Sequence, residues 1–266
     1  MGNQIRFFEK SKCDYSNPAV VLTASQGNDY IGRIIDRSNS TSWMTTSSVD
    51  ADNTTILVEF GDYKTIDSIA LLKHNFKSYK IEYWDGSAYQ PMPGTAIDET
   101  VNTAENKFHQ FTAVETIKIL LTIRGTMVAN EDKYLFQLLA TQQIGQFNGW
   151  PQIKKATLSR NRIRIKMISG KESIREQIGS FQCSLSLTVT SDSGDLDLIE
   201  NLHAQNDGFL MWIAGGSETQ FSSVRKGYRL EDWYLMKCAS ELVNDFYQGI
   251  YANGVVVKFD LTEVVD

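Results

Sequence analysis

The chain has 266 residues, with 26 basic and 32 acidic side chains and a net charge of −6. That balance argues against a wide basic face for nucleic acid, and 42% hydrophobic residues suit a core-forming chain. No apolar run reaches the roughly 18 residues of a membrane helix, and the opening MGNQIRFFEKSK lacks the apolar stretch of a secretory signal.

In chain order, period-two patterns dominate the first half. Ile56 to Phe60 (ILVEF) predicts a strand ended by a Gly61-Asp62 turn. Ile66 to Leu72 predicts a second strand and Tyr79 to Trp84 a third. In the third, Tyr79, Ile81 and Tyr83 share the core face, and Lys80, Glu82 and Trp84 share the other. Asp85-Gly86 is a hairpin turn, and Tyr89 begins the returning strand. The rings of YKIEYWDGSAYQPM are thus split between faces and strands, and Trp84 is the one placed to meet a partner. Phe108 to Phe111, Ile117 to Ile123 and Tyr134 to Ala140 follow as strands. This spacing argues for a β-sandwich.

Gly145 to Pro151 (GQFNGWP) interrupts the periodicity and sets a boundary near 148, giving domains 1–148 and 149–266. Arg160 to Met167 alternates strictly, with Arg160, Arg162, Arg164 and Lys166 on one face. Four cations in a row need water, acidic partners or a polyanion. Phe181 to Val189 alternates as well. A helix is predicted over 195–206, with Ser193 or Asp195 as cap and Leu196, Ile199 and Leu202 as its stripe. Phe209 to Ile213, Tyr228 to Cys238 and Gly254 to Val264 complete a second β-rich domain. Arg225, Tyr228, Arg229 and Trp233 combine arginine and aromatic character, which suits an interface or ordinary cross-strand pairs.

Little in the chain points to catalysis. Cys13, Cys183 and Cys238 are far apart and read as reduced thiols of a reducing compartment. His74, His109 and His203 are equally scattered, with no zinc spacing. No GxSxG, Walker or GxGxxG motif follows a strand. The expectation is a non-enzymatic protein.

The segments IIDRSNSTSWMT, ILVEFGDYKTIDSIALL, YKIEYWDGSAYQPM and IKILLTIRG come in the order of a discoidin-type domain. The region from about 1 to 145 resembles that family, also called F5/8 type C or galactose-binding-like. The resemblance implies an eight-stranded jelly-roll sandwich whose end loops bind glycans or lipid headgroups. It also implies a structural calcium at Asp36 and Thr41, with Trp43 as a core anchor. Gln137 stands where the family has a Glu, which weakens such a site, and Asp36 also reads as a capped turn. Asn28, Asp29, His74, Asn75 and Arg124 are the candidate glycan residues. His74-Asn75 reads first as a polar turn between strands.

The second half, with DLDLIENLH, GFLMWIAGG, VRKGYRLEDWYL and the closing VKFDLTEV, resembles tail and baseplate proteins of bacteriophages. That resemblance implies a ring-forming structural component of a virion, assembled in the host bacterial cytoplasm. Its expected partners are other virion or tail proteins and further copies of itself, with neither sequence-specific nucleic acid nor membrane insertion. The rival expectation is a carbohydrate-binding protein acting through the loops of the first sandwich.

Overall fold

The alternating patterns of the first half fold into strands longer than predicted. The computed structural model describes residues 4–38, 40–148, 152–166, 172–189, 194–214, 233–239 and 255–264. The protein is mainly β. Its strands are β1 (Gln4–Glu9), β2 (Val21–Ala24), β3 (Trp43–Met44), β4 (Thr54–His74), β5 (Phe76–Trp84), β6 (Tyr89–Pro91), β7 (Ile97–Glu99), β8 (Lys107–Thr126), β9 (Tyr134–Thr141), β10 (Gln143–Gln146), β11 (Gln152–Lys166), β12 (Glu172–Val189), β13 (Phe209–Ala214), β14 (Trp233–Cys238) and β15 (Val255–Glu263). A 3-10 helix covers Asn28–Ile35, and an α-helix, α1, covers Asp195–Ala204.

The chain separates into two units, and the division differs from a cut at 148. One unit is Lys10–Gln143; the other combines the N-terminal strand with the chain from Ile144 onward. The reason is β1, which pairs antiparallel with β13, Gln4 opposite Ala214 through Glu9 opposite Phe209. Phe7 of β1 packs edge-on against Phe147 and Phe209, at ring distances of 5.2 and 5.7 Å. A sequence pattern shows that β1 is a strand but not which sheet it joins.

The Lys10–Gln143 unit holds β2 to β9 in an eight-stranded sheet. Ile56 to Phe60 and Ile66 to Leu72 prove to be parts of one strand, β4. Its register with β8 slips between Glu59 and Lys64. Gly61 sits at that slip with φ +86. β4 pairs first with β2 and later with β9, and β8 pairs with both β4 and β5. The sheet thus folds over one core, in which Ile56, Val58 and Phe60 meet Ile66, Ile69, Leu71, Tyr79, Ile119 and Leu121. Trp43 is fully buried there, and its Nε1 donates to the Gln26 carbonyl at 3.1 Å.

The other unit is a seven-stranded sheet in the order β10-β1-β13-β14-β15-β12-β11. Leu198, Ile199 and Leu202 of α1 close its core with Phe181, Phe209, Met236 and Phe259. The helix is not capped by a side chain. Gly194 in the left-handed region precedes it, and Asp195 instead accepts from the Asn148 backbone N–H at 2.9 Å.

Gly61 has no room for a side chain. A Cβ there would lie 2.6 Å from the Ala19 Cβ, with φ already positive. Gly61→Ala should cost about 1–3 kcal/mol, read as a lower urea midpoint at unchanged slope.

Candidate functional site

The 3-10 helix carries an exposed group of sugar-compatible side chains. Gly27 begins it in the left-handed region, pressed so close to the Met44 carbonyl that a Cβ would come within 2.4 Å. Three residues per turn eclipse positions i and i+3, which places Arg33 beside Tyr30. The guanidinium carbon lies 4.3 Å from the Tyr30 ring centroid, and Nη1 donates to the Ser42 carbonyl at 3.3 Å. Tyr30 is 53% exposed. Asn28 and Asp29 are exposed just before it, and Asn28 Oδ1 accepts from the Ala24 N–H at 2.8 Å. The sequence reading singled out Asn28 and Asp29 but missed Tyr30 and Arg33. The missing signal was the three-residue spacing inside a stretch read as loop.

His74 and Asn75 do not join this group. His74 ends β4, Asn75 alone links it to β5, and both are buried. Asn75 is consumed by the backbone: Nδ2 donates to the Asp132 carbonyl at 2.8 Å and Oδ1 accepts from the Tyr134 N–H at 3.0 Å. His74 Nδ1 accepts from the Phe76 N–H at 3.0 Å, so the neutral ring carries its proton on Nε2. That nitrogen has no hydrogen-bond partner, and the imidazole meets the Tyr79 ring edge-on at 5.7 Å. Tyr79 in turn contacts His109 Nε2 at 2.8 Å. Burial raises the Tyr79 phenol pKa, so the phenol keeps its proton. Burial lowers His74 to about 3, with His109 and Lys107 adding to it, and lowers His109 to about 4 against the pull of Glu99.

Arg124 is also committed. It is ion-paired with Asp98, and its Nη2 reaches the Tyr79 carbonyl at 3.3 Å. Asp36 and Thr41 do come together, but as a self-contained turn. Thr41 Oγ1 donates to Asp36 Oδ2 at 2.6 Å, and the Ser38 N–H donates to Oδ1 at 2.8 Å. The next residue, Arg37, forks onto Asp14 with two contacts of 2.7 Å. Gln137 is neutral and buried. One carboxylate already engaged at both oxygens is a poor calcium donor set, and no cluster of three metal-ligating side chains occurs among the described residues.

A cation of the chain's own braces the neighbouring loops. Lys133 is fully buried. Its ammonium donates to the Val49 carbonyl at 3.3 Å, the Asp52 carbonyl at 2.5 Å and Thr54 Oγ1 at 3.1 Å. Burial lowers its pKa, against the pull of Asp50 and Asp52.

Of the expected interface residues, Arg160, Arg162, Arg164 and Lys166 lie on β11, paired with β12. Arg225, Tyr228 and Arg229 lie outside the described residues. Trp233 is buried rather than presented to a partner, stacked on Trp212 at 5.2 Å and 10°. In the hairpin, Tyr79 and Ile81 are buried. Trp84 and Tyr89 form a cross-strand pair, edge to face at 67°, with Lys118 4.5 Å from the Trp84 ring. The angle rules out a flat stacking platform.

No protein-family model matches this chain, and no curated protein matches it. Solved structures do. One is chitosan-binding module 1 of a chitosanase/glucanase from Paenibacillus sp. IK-5, at 18% identity and TM-score 0.41, covering 50% of this chain and 98% of that one. Another is the family 32 carbohydrate-binding module of Clostridium perfringens NanJ in complex with galactose, at 14% identity and TM-score 0.40, covering 52% and 99%. A third is CpGH89CBM32-5 from Clostridium perfringens in complex with GalNAc-β-1,3-galactose, at 16% identity and TM-score 0.39, covering 47% and 96%. These likenesses extend over about half of the chain.

Two outcomes are expected from the buried polar groups. Both histidines have folded pKa values below the unfolded 6.5, so the unfolded chain binds more protons as pH falls. Their contribution is complete above about pH 6.5 and is lost progressively toward pH 4. The urea midpoint should therefore drop between those values, and His74→Leu should flatten the slope; a level wild-type profile would contradict the assignment. Lys133→Met strands three acceptors and should cost about 2–4 kcal/mol by the same measurement.

Proposed function

We propose that the protein is a non-enzymatic binding protein whose Lys10–Gln143 sandwich recognises a glycan. The observation that carries this is the half-exposed Tyr30 ring, oriented by Arg33 and flanked by Asn28 and Asp29. An aromatic face suits the C–H side of a sugar ring, and planar polar groups suit its hydroxyls. His74, Asn75 and Arg124, by contrast, serve the fold. The non-enzymatic part draws on the chemistry of the buried groups. The Cys183 thiol, beside a cavity of about 220 Å³, is pushed up to about 12 by burial. Ser184 at the same cavity donates to Asp260, a carboxylate and not a histidine base.

A second reading, a structural component of a phage virion, draws on a different observation. Among the described residues β11 and β12 pair as a ribbon beyond the part of β12 that β15 backs, an arrangement suited to assembly with neighbours.

A glycan array followed by titration with galactose tests the first reading. Saturable binding should fall tenfold or more in Tyr30→Ala and Arg33→Ala, at unchanged thermal stability. An array without a saturable ligand, or variants that bind as wild type, would remove the helix as the site.

A further inference from the structure

The outer half of the β11–β12 ribbon pairs with no third strand among the described residues. Gln152 to Leu158 pair with Ser186 to Phe181, and β12 is backed by β15 from Gln182 to Val189. Beyond a register shift at Leu158/Arg160, Arg160 to Lys166 pair only with Ile178 to Glu172 among the described residues. Seven residue pairs extend about 20 Å. A bare two-stranded ribbon is marginal in water, and among the described residues β11 is the terminal strand, with no neighbour on its outer edge.

The charge along the chain gives this arm a partner. Residues 152–178 hold eight basic side chains against two acidic ones, in a chain whose net charge is −6. The remainder therefore carries −12. The basic stretch is followed at once by its opposite: from Gln177 to Val224 there is no Lys or Arg, and there are six acidic residues. Asp197 and Asp207 of that block are exposed, on α1 and just after it. Two arms repel one another, so edge-to-edge pairing of like arms is disfavoured.

We propose that the arm of one copy docks on the acidic surface around α1 of a second copy. The contact joins two different surfaces, so it propagates from copy to copy into a ring or an open chain. Nucleic acid fits less well. Residues 152–178 contain no aromatic side chain for base stacking, and the register sets Glu176 opposite Arg162 and Glu172 opposite Lys166. The inference stands whether or not the sandwich binds sugar.

Sedimentation velocity on the full chain tests it. Wild type should self-associate at low salt, and association should weaken tenfold or more between about 50 and 500 mM NaCl. Arg160→Glu with Arg162→Glu and Arg164→Glu should give monomers, as should Asp197→Lys with Asp207→Lys. Mixing the two variants should restore association, because their reversed charges complement each other. A wild type that stays monomeric at low salt overturns the proposal without any variant. So does assembly indifferent to both charge reversals. Tight, salt-sensitive binding of duplex DNA, lost in the arm variant while self-association persists, would transfer the arm to a polyanion.

Discussion

The sandwich depends on the pairing of β4 with β8. At 21 and 20 residues, each is several times the length of a common strand. Every other strand of the unit except β3, β6 and β7 pairs with one of them. A flat ladder of that length would bury nothing, so the pair must bend. The register slips where Gly61 takes a positive φ against Ala19, and beyond it the same two strands form the facing layer. One bend thus converts a single alternating pattern into the two walls of a core.

That economy leaves short connections, and short connections use up polar side chains. β4 passes to β5 through Asn75 alone. No loop projects there, and backbone groups that would otherwise meet water turn inward. Asn75 satisfies Asp132 and Tyr134, and Lys133 satisfies the carbonyls of the 49–54 loop. Residues with the chemistry of a binding site are spent on the backbone, since a buried unpaired carbonyl is costly. The 3-10 helix is more open: Asn28 and Arg33 each bond one backbone group, while the Tyr30 ring stays half-exposed.

Strand existence was legible because burial imposes the two-residue period: Ile81, Ile119 and Leu121 announce their faces. Continuity was not. Gly61-Asp62 has the composition of a turn, and only the long-range fit of Ala19 shows that it is a bend. The assignment of β1 to the far sheet was likewise invisible, because Phe7 and Phe8 are apolar on both faces and pairing partners leave no local mark. At the candidate site, Asn28 and Asp29 were legible as polar loop chemistry. Tyr30 and Arg33 become neighbours only through a 3-10 turn, whose hydrogen bonds sequence composition does not encode.

The insertion of the sandwich between β1 and β10, adjacent strands of one sheet, bears on the order of events during synthesis. A ribosome releases β1 first, then a complete sandwich with its own core, and only afterwards the strands β1 needs. Domains tend to fold as they emerge. The earliest strand therefore waits, apolar on both sides, while more than a hundred residues are made and folded beside it. Closure of the seven-stranded sheet therefore comes after the sandwich, and until β13 is made β1 lacks the strand it pairs with.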